Sequence, residues 1–210
     1  MPTKTFFNLE QKKQDRIIQA AIDEFSQKNY DHANIATMIK NASIPRGSFY
    51  QYFEDKKDLY LYIIKILGES KVKYMSHIIE NKDHMPFLKL IKDLYISGLK
   101  FAVDQPKLVK IMTYLIATKG DIYDEVMKDA LDQSLALFTN LIEIDKSRGL
   151  IKESVDSKTF AQLMRDMTVN VTLSELNLKT NTFNEEIMIQ KITQIIQIFE
   201  TGVKKGDYHV

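Results

Sequence analysis

The chain contains no cysteine and no tryptophan, and only 7 glycines and 4 prolines in 210 residues. Without cysteine there are no disulfides and no thiolate metal sites, which accords with a reducing cytoplasm, the expected location. So few breakers favour long helices over a strand-and-turn protein. Charge of one sign is also lacking. The formal net charge is +1; residues 1–65 carry 10 basic and 8 acidic side chains, and the remainder 19 and 20. Bulk electrostatics therefore gives no support for a nucleic-acid partner, and any positive surface must be made locally. No stretch approaches the roughly 18 uninterrupted apolar residues of a membrane span. The N-terminal segment MPTKTFFNLEQKKQD holds no apolar run long enough for a signal peptide. No nucleophile–base pair, phosphate-binding glycine loop or paired-carboxylate motif stands out, which disfavours an enzyme and implies no cofactor.

What is present is helical periodicity on a 44% hydrophobic background, enough for a substantial core. Ile17, Ile18, Ala21, Ile22 and Phe25 fall on one face of a helix over 10–28, and Asn29 suits its end. Asn34 is an expected N-cap for a helix to about Ala42. Ser43 and Ile44 form a turn. Pro45 then opens a second short helix to about Tyr52, with Phe49 and Phe53 as inward anchors. Asp55 is expected to cap a long helix from Lys56 to about Glu80. Helices follow at 86–103, 106–118, 122–146, 156–178 and 184–204, the fifth of these ending a chain of about nine helices in all. The expected fold is all-α: an N-terminal three-helix helix-turn-helix domain over residues 1–55, with the motif at about 34–53, and a C-terminal helical bundle over 56–210.

Helix, tight turn and second helix in residues 34–53 make a unit that lays one helix in the DNA major groove. Arg46 suits a bidentate pair on guanine and Gln51 one on adenine. Ser48, Tyr50 and Tyr52 are placed to reach phosphate or base, and Gly47 lets the backbone approach closely. Lys56, in the first turn of its helix, opposes the helix dipole and would make a phosphate clamp. Thr37 and Lys40 on the first helix could touch backbone phosphate, a reading that weighs about equally with a plain solvated face. For Lys12, Lys13 and Arg16, phosphate approach and a plain solvated face weigh equally. His77, Glu80 and His84 lie near one helix face, but i, i+3, i+7 stretches over two turns, too far for one ion, so no metal site is expected.

The residues of this region also resemble a known family. R-I-I-x-A-A-x-x-x-F at 16–25, Tyr30, P-R-G-S-F-Y-Q-Y-F at 45–53 and D-K-K-D-L at 55–59 resemble the DNA-binding domain of TetR-family transcriptional regulators. The likeness covers about a fifth of the chain. Ile39 stands where the family usually has alanine, Ser43 where it has glycine, and Pro45 where a Ser or Thr cap is common. The resemblance implies a homodimer on a near-palindromic double-stranded operator, and a repressor released by a small, largely apolar effector of unspecified identity. Two alternatives stay open: a helix-turn-helix regulator without a small-molecule effector, either an activator or controlled by a partner, and a helical interaction protein that has lost DNA binding.

For the effector, the resemblance implies a pocket in the C-terminal domain. Phe101, Met112, Tyr114, Phe138, Met164 and Met167 are candidates for its lining, because methionine and aromatic side chains adapt to irregular apolar ligands. The last two helices carry apolar residues on more than one face, as a helix meeting a partner does. Val169, Leu173, Leu176, Ile192, Ile195 and Phe199 are the expected dimer-interface residues.

Overall fold

The computed structural model describes residues 1–175 and 184–203, with only the backbone at 168–175 and 203. Ten α-helices and one short 3-10 turn at Lys82–His84 make up the described residues, and no strand is among them. The helices predicted from periodicity are all there, with boundaries shifted by a residue or two; the expected ends at 178 and 204 lie outside the described residues. One was not predicted: α1, Lys4–Phe7.

The chain divides into two compact units. The first comprises Met1–Lys73 and Asp104–Val126, the second Tyr74–Val103 and Met127–Val210. This division differs from a boundary after residue 55. The reason is that α2, Gln11–Gln27, packs against α7, Pro106–Thr118, as well as against α3, Ile35–Ala42. Asp23 of α2 also pairs with Lys107 of α7 at 2.6 Å.

The first unit is built around aromatic side chains. Phe6, Phe25, Phe49 and Phe53 are fully buried, together with Leu59, Ile63 and Leu67 from α5, Lys56–Glu80, and Ile111 from α7. Phe53 lies 5.1 Å from Phe6 and 5.6 Å from Phe49, and Phe25 meets Tyr60 edge-on at 4.8 Å. Full burial of each such side chain contributes about 1.5–3 kcal/mol. That packing holds α4, Arg46–Tyr52, a helix of 7 residues too short to persist alone.

The second unit has its own core. Phe87, Leu90 and Ile91 of α6, Phe87–Asp104, meet Ile142 of α8, Asp121–Ser147. Phe160 and Met164 of α9, Ser157–Glu175, join them, with Met188 and Ile192 of α10, Glu185–Val203. The start of α6 has a cap that local sequence does not reveal. Buried Asp145 accepts a hydrogen bond from the Phe87 backbone N–H at 2.6 Å. Gly149, at φ +72°, ends α8, since the left-handed region suits glycine.

Candidate nucleic-acid interface

The interface is formed by α3, the turn after it and α4. Asn34 caps α3: its side-chain oxygen accepts from the Ala36 N–H at 2.8 Å. At the other end Ser43 adopts φ 52°. Its N–H bonds the Lys40 carbonyl at 3.1 Å and the Ile44 N–H bonds the Ile39 carbonyl at 3.2 Å. This is a Schellman closure, with buried Ile44 as its apolar contact. Pro45 sits in the N-cap position, one residue earlier than expected, and its carbonyl accepts from the Ser48 N–H at 3.0 Å. No side-chain cap replaces the missing Ser or Thr.

Two remote contacts lock the pair of helices. Arg16 Nε donates to the Ala42 carbonyl at 2.7 Å, so this arginine braces the end of α3. Glu24, 3% exposed, accepts from the Asn34 N–H at 3.0 Å and from Lys28 Nζ at 2.8 Å, fixing the start of α3 on α2. The far end of α4 is closed by the N-terminal segment. Thr3 donates its hydroxyl to the Gln51 carbonyl at 2.6 Å and its N–H to the Tyr52 carbonyl at 2.9 Å. Thr3 also caps α1, which buries Phe6 beside Phe53. Sequence reasoning missed Thr3, Phe6 and Glu24. The spacing of Thr3 three residues before Phe6 was the signal for the first two; nothing local marks Glu24.

The inner face of α4 is thereby fixed and its outer face is free. Arg46, Gly47, Tyr50 and Gln51 are exposed, Ser48 is half-buried, and a Cβ on Gly47 would meet nothing within 4 Å. Tyr50 is 52% exposed and stands edge-on to Phe49. On α3, Lys40 is exposed and Thr37 half-buried. Among the described residues neither Lys40 nor Arg46 is in an ion pair, which leaves both cations for an external anion. These groups are chemically fit to donate to base edges and phosphate oxygens.

Two of the expected contacts are corrected. Tyr52 is only 3% exposed: three residues after Phe49, it turns onto the same inner face and packs on Phe6, with Lys13 Nζ 5.7 Å from its ring. Lys56 is also occupied within the chain. Its Nζ donates to the Asp31 and Ala33 carbonyls at 3.3 and 3.2 Å and lies 4.7 Å from the Tyr30 ring, tying the α2–α3 loop to α5. Asp55 caps α5 as expected, accepting from the Asp58 N–H at 2.7 Å.

The expected pocket residues fall in both units. Met112 and Tyr114 belong to the first unit, and Phe101, Phe138, Met164 and Met167 to the second. Met164 and Phe101 are fully packed, while Phe138 and Met167 are half-buried at the edge of the second unit's core. Of the expected dimer residues, the Val169 and Leu173 side chains and all of Leu176 lie outside the described residues. Ile192 is a correction: it is fully buried among Phe87, Met164 and Met188 and faces its own chain. Ile195 is half-buried, and Phe199 rests on Phe160 at 5.4 Å. Among the described residues of α9 and α10, Leu163, Ile187 and Ile198 are the large apolar side chains that are exposed.

An all-helical fold with a braced helix-turn-helix and an outward basic, amide-bearing α4 defines a DNA-binding protein of the helix-turn-helix class. Comparison with known proteins gives the family. Residues 17–63 match the sequence profile of the bacterial regulatory proteins of the tetR family. The negative transcriptional regulator IcaR of the biofilm operon icaADBC, from Staphylococcus aureus strain Newman, is 29% identical over 130 residues, 58% of this chain and 64% of that one. The chain thus spans under two thirds of that relative's length. A crystal structure of a TetR family transcriptional regulator from Chloroflexus aurantiacus is 28% identical and superposes with a TM-score of 0.76 over 98% of this chain and 100% of that one. The transcriptional regulator FadR of Bacillus subtilis, solved in complex with stearoyl-CoA, shares the fold with a TM-score of 0.70 over 90% of this chain and 98% of that one, at 14% identity. Residues 17–63 thus form a DNA-binding domain of the tetR family, and over most of its length the chain is similar to TetR-family transcriptional regulators, which supports a DNA-binding regulator. Among the described residues no helix is long and apolar enough to cross a membrane.

Proposed function

We propose that this regulator is a repressor that binds a near-palindromic operator as a homodimer and leaves it when a small, largely apolar ligand binds. Residues 1–55 read the DNA, and 56–210 bind the effector and the second copy. The observation that carries the reading is the division of α4. Phe49 and Tyr52 are locked into the core while Arg46, Gly47, Tyr50 and Gln51 face outward. A rigid inner face and a donor-rich outer face are what groove reading requires. Thr37, Lys40 and Ser48 act as phosphate contacts, and Lys56 supports them through the α2–α3 loop.

The dimer reading is supported by the apolar residues that α9 and α10 leave exposed, Leu163, Ile187 and Ile198, with Ile198 at 67% exposure. For the effector, Phe138 and Met167 are the residues kept from the expected lining. The stearoyl-CoA complex of the Bacillus subtilis FadR supports an apolar ligand for this fold. Release is a coupling free energy between the ligand and DNA sites, of order 1–3 kcal/mol. A mobility-shift assay on the DNA upstream of the protein's own gene tests the reading. The expected result is a specific complex that dissociates on titration with stearoyl-CoA or stearate. A complex formed equally on unrelated DNA would overturn it.

A further inference from the structure

The first unit contains a cleft of about 280 Å³ that the DNA-reading helices do not use. The α2–α3 loop, the start of α5 and the α7–α8 connection enclose it, and its walls include Tyr30, Asp31, Tyr60, Tyr114, Asp121 and Tyr123. Four tyrosines and two carboxylates around one small space is an unusual lining. The Tyr30 and Tyr60 rings stand 5.0 Å apart at 53°, giving two aromatic surfaces at an angle. The faces of such rings are negative and attract cations.

The charges around the cleft favour the same occupant. Asp31 and Asp121 are exposed, and among the described residues neither side chain is in an ion pair. Of the neighbouring lysines, Lys56 and Lys57 have partners within the chain, and Lys110 Nζ lies 5.9 Å from the Tyr114 ring. Lys57 pairs with Glu125 at 2.7 Å, and Lys56 donates to backbone carbonyls. Lys56 also places its ammonium 4.7 Å from the Tyr30 ring, so that ring already serves as a cation platform within the chain. Burial first, then the charges of Tyr30 and Asp31, push the Tyr60 phenol up to about 12. Burial and Asp55 likewise hold the Tyr30 phenol above its usual range. Both rings are therefore neutral phenols near pH 7.

We propose that this cleft is a binding site for a small organic cation, with an ammonium head held over the tyrosine rings and facing Asp31 and Asp121. Its volume lies below the roughly 300–1,000 Å³ of pockets for drug-sized ligands, so the occupant has only a handful of heavy atoms. A quaternary or tertiary ammonium fits, because aromatic faces bind a poorly hydrated cation better than a strongly hydrated one. The bound cation would bridge the loop leading into α3 and the connection leading into α8. This site lies wholly within the first unit and is independent of the apolar effector proposed above.

The test is calorimetric titration of the full chain with choline and, separately, with 3,3-dimethylbutan-1-ol, its uncharged isostere. Saturable binding of one choline per chain is expected, with the isostere about tenfold weaker or worse. The double variant Asp31→Asn/Asp121→Asn should weaken choline by about tenfold while the thermal midpoint stays unchanged, because both residues are exposed. Tyr30→Leu should weaken choline more than the isostere. The proposal is overturned by non-saturable choline binding, by equal affinity for choline and the isostere, or by unchanged choline affinity in the double variant. None of these results bears on release from DNA by an apolar ligand.

Discussion

Arg16 donates from Nε to the Ala42 carbonyl at 2.7 Å, across 26 residues of sequence, and so joins the middle of α2 to the last turn of α3. The next residue, Ser43, holds φ 52° where glycine would be relaxed. Brace and strain thus act on the same turn, the one that sets the angle between α3 and α4. Arg16→Met removes a charged donor from the carbonyl of buried Ala42 and should cost about 1–3 kcal/mol. Ser43→Gly removes the left-handed penalty and should return about 0.5–1 kcal/mol. Urea denaturation of the two variants measures both.

Tyr50 and Tyr52 are two residues apart and opposite in role. Tyr52→Ala deletes a ring that is 3% exposed and should destabilise the protein by about 3–5 kcal/mol. Tyr50→Ala, at 52% exposure, should stay within about 0.5 kcal/mol of the parent. Thermal unfolding separates them; equal losses would contradict the division of α4 into inner and outer faces.

Lys56 was expected to clamp phosphate, and its ammonium is instead spent on the Asp31 and Ala33 carbonyls. Lys56→Met should therefore lower stability by about 1 kcal/mol while leaving the salt dependence of DNA affinity nearly unchanged. A fall of about one in the slope of log K against log salt would restore the clamp reading.

Tyr60 gives a pH prediction. Burial raises its phenol from 10.0 to about 12 in the folded chain. Its contribution is fully present below pH 10 and is lost as pH rises towards 12, because the unfolded chain ionises first. The loss amounts to roughly 2–3 kcal/mol at most. Denaturation measured from pH 9 to 12 should show the decline, and Tyr60→Phe should flatten it.

Much of this was legible in the sequence, and the misses share a cause. The longer helices follow from apolar periodicity, and Asn34, Asp55 and Gly149 mark their ends because caps act within one turn. Glu24 to Asn34, Arg16 to Ala42, Asp145 to Phe87 and Lys56 to Asp31 join residues 10 to 58 positions apart. Periodicity is blind to such pairs. Tyr52 was misread for its hydroxyl, although its spacing from Phe49 and beside Phe53 already placed it inward. Helix α1 has 4 residues, too few to show any period. Ile192 was misread because α10 is apolar on several faces, and only the core beside it shows which one the chain itself uses.

The central claim is that the outer face of α4 reads DNA. Fluorescence anisotropy on operator DNA, comparing the parent with Arg46→Ala, tests it most directly. The account predicts a loss of about 1–3 kcal/mol in binding with no change in thermal stability. Unchanged affinity for the operator would contradict it.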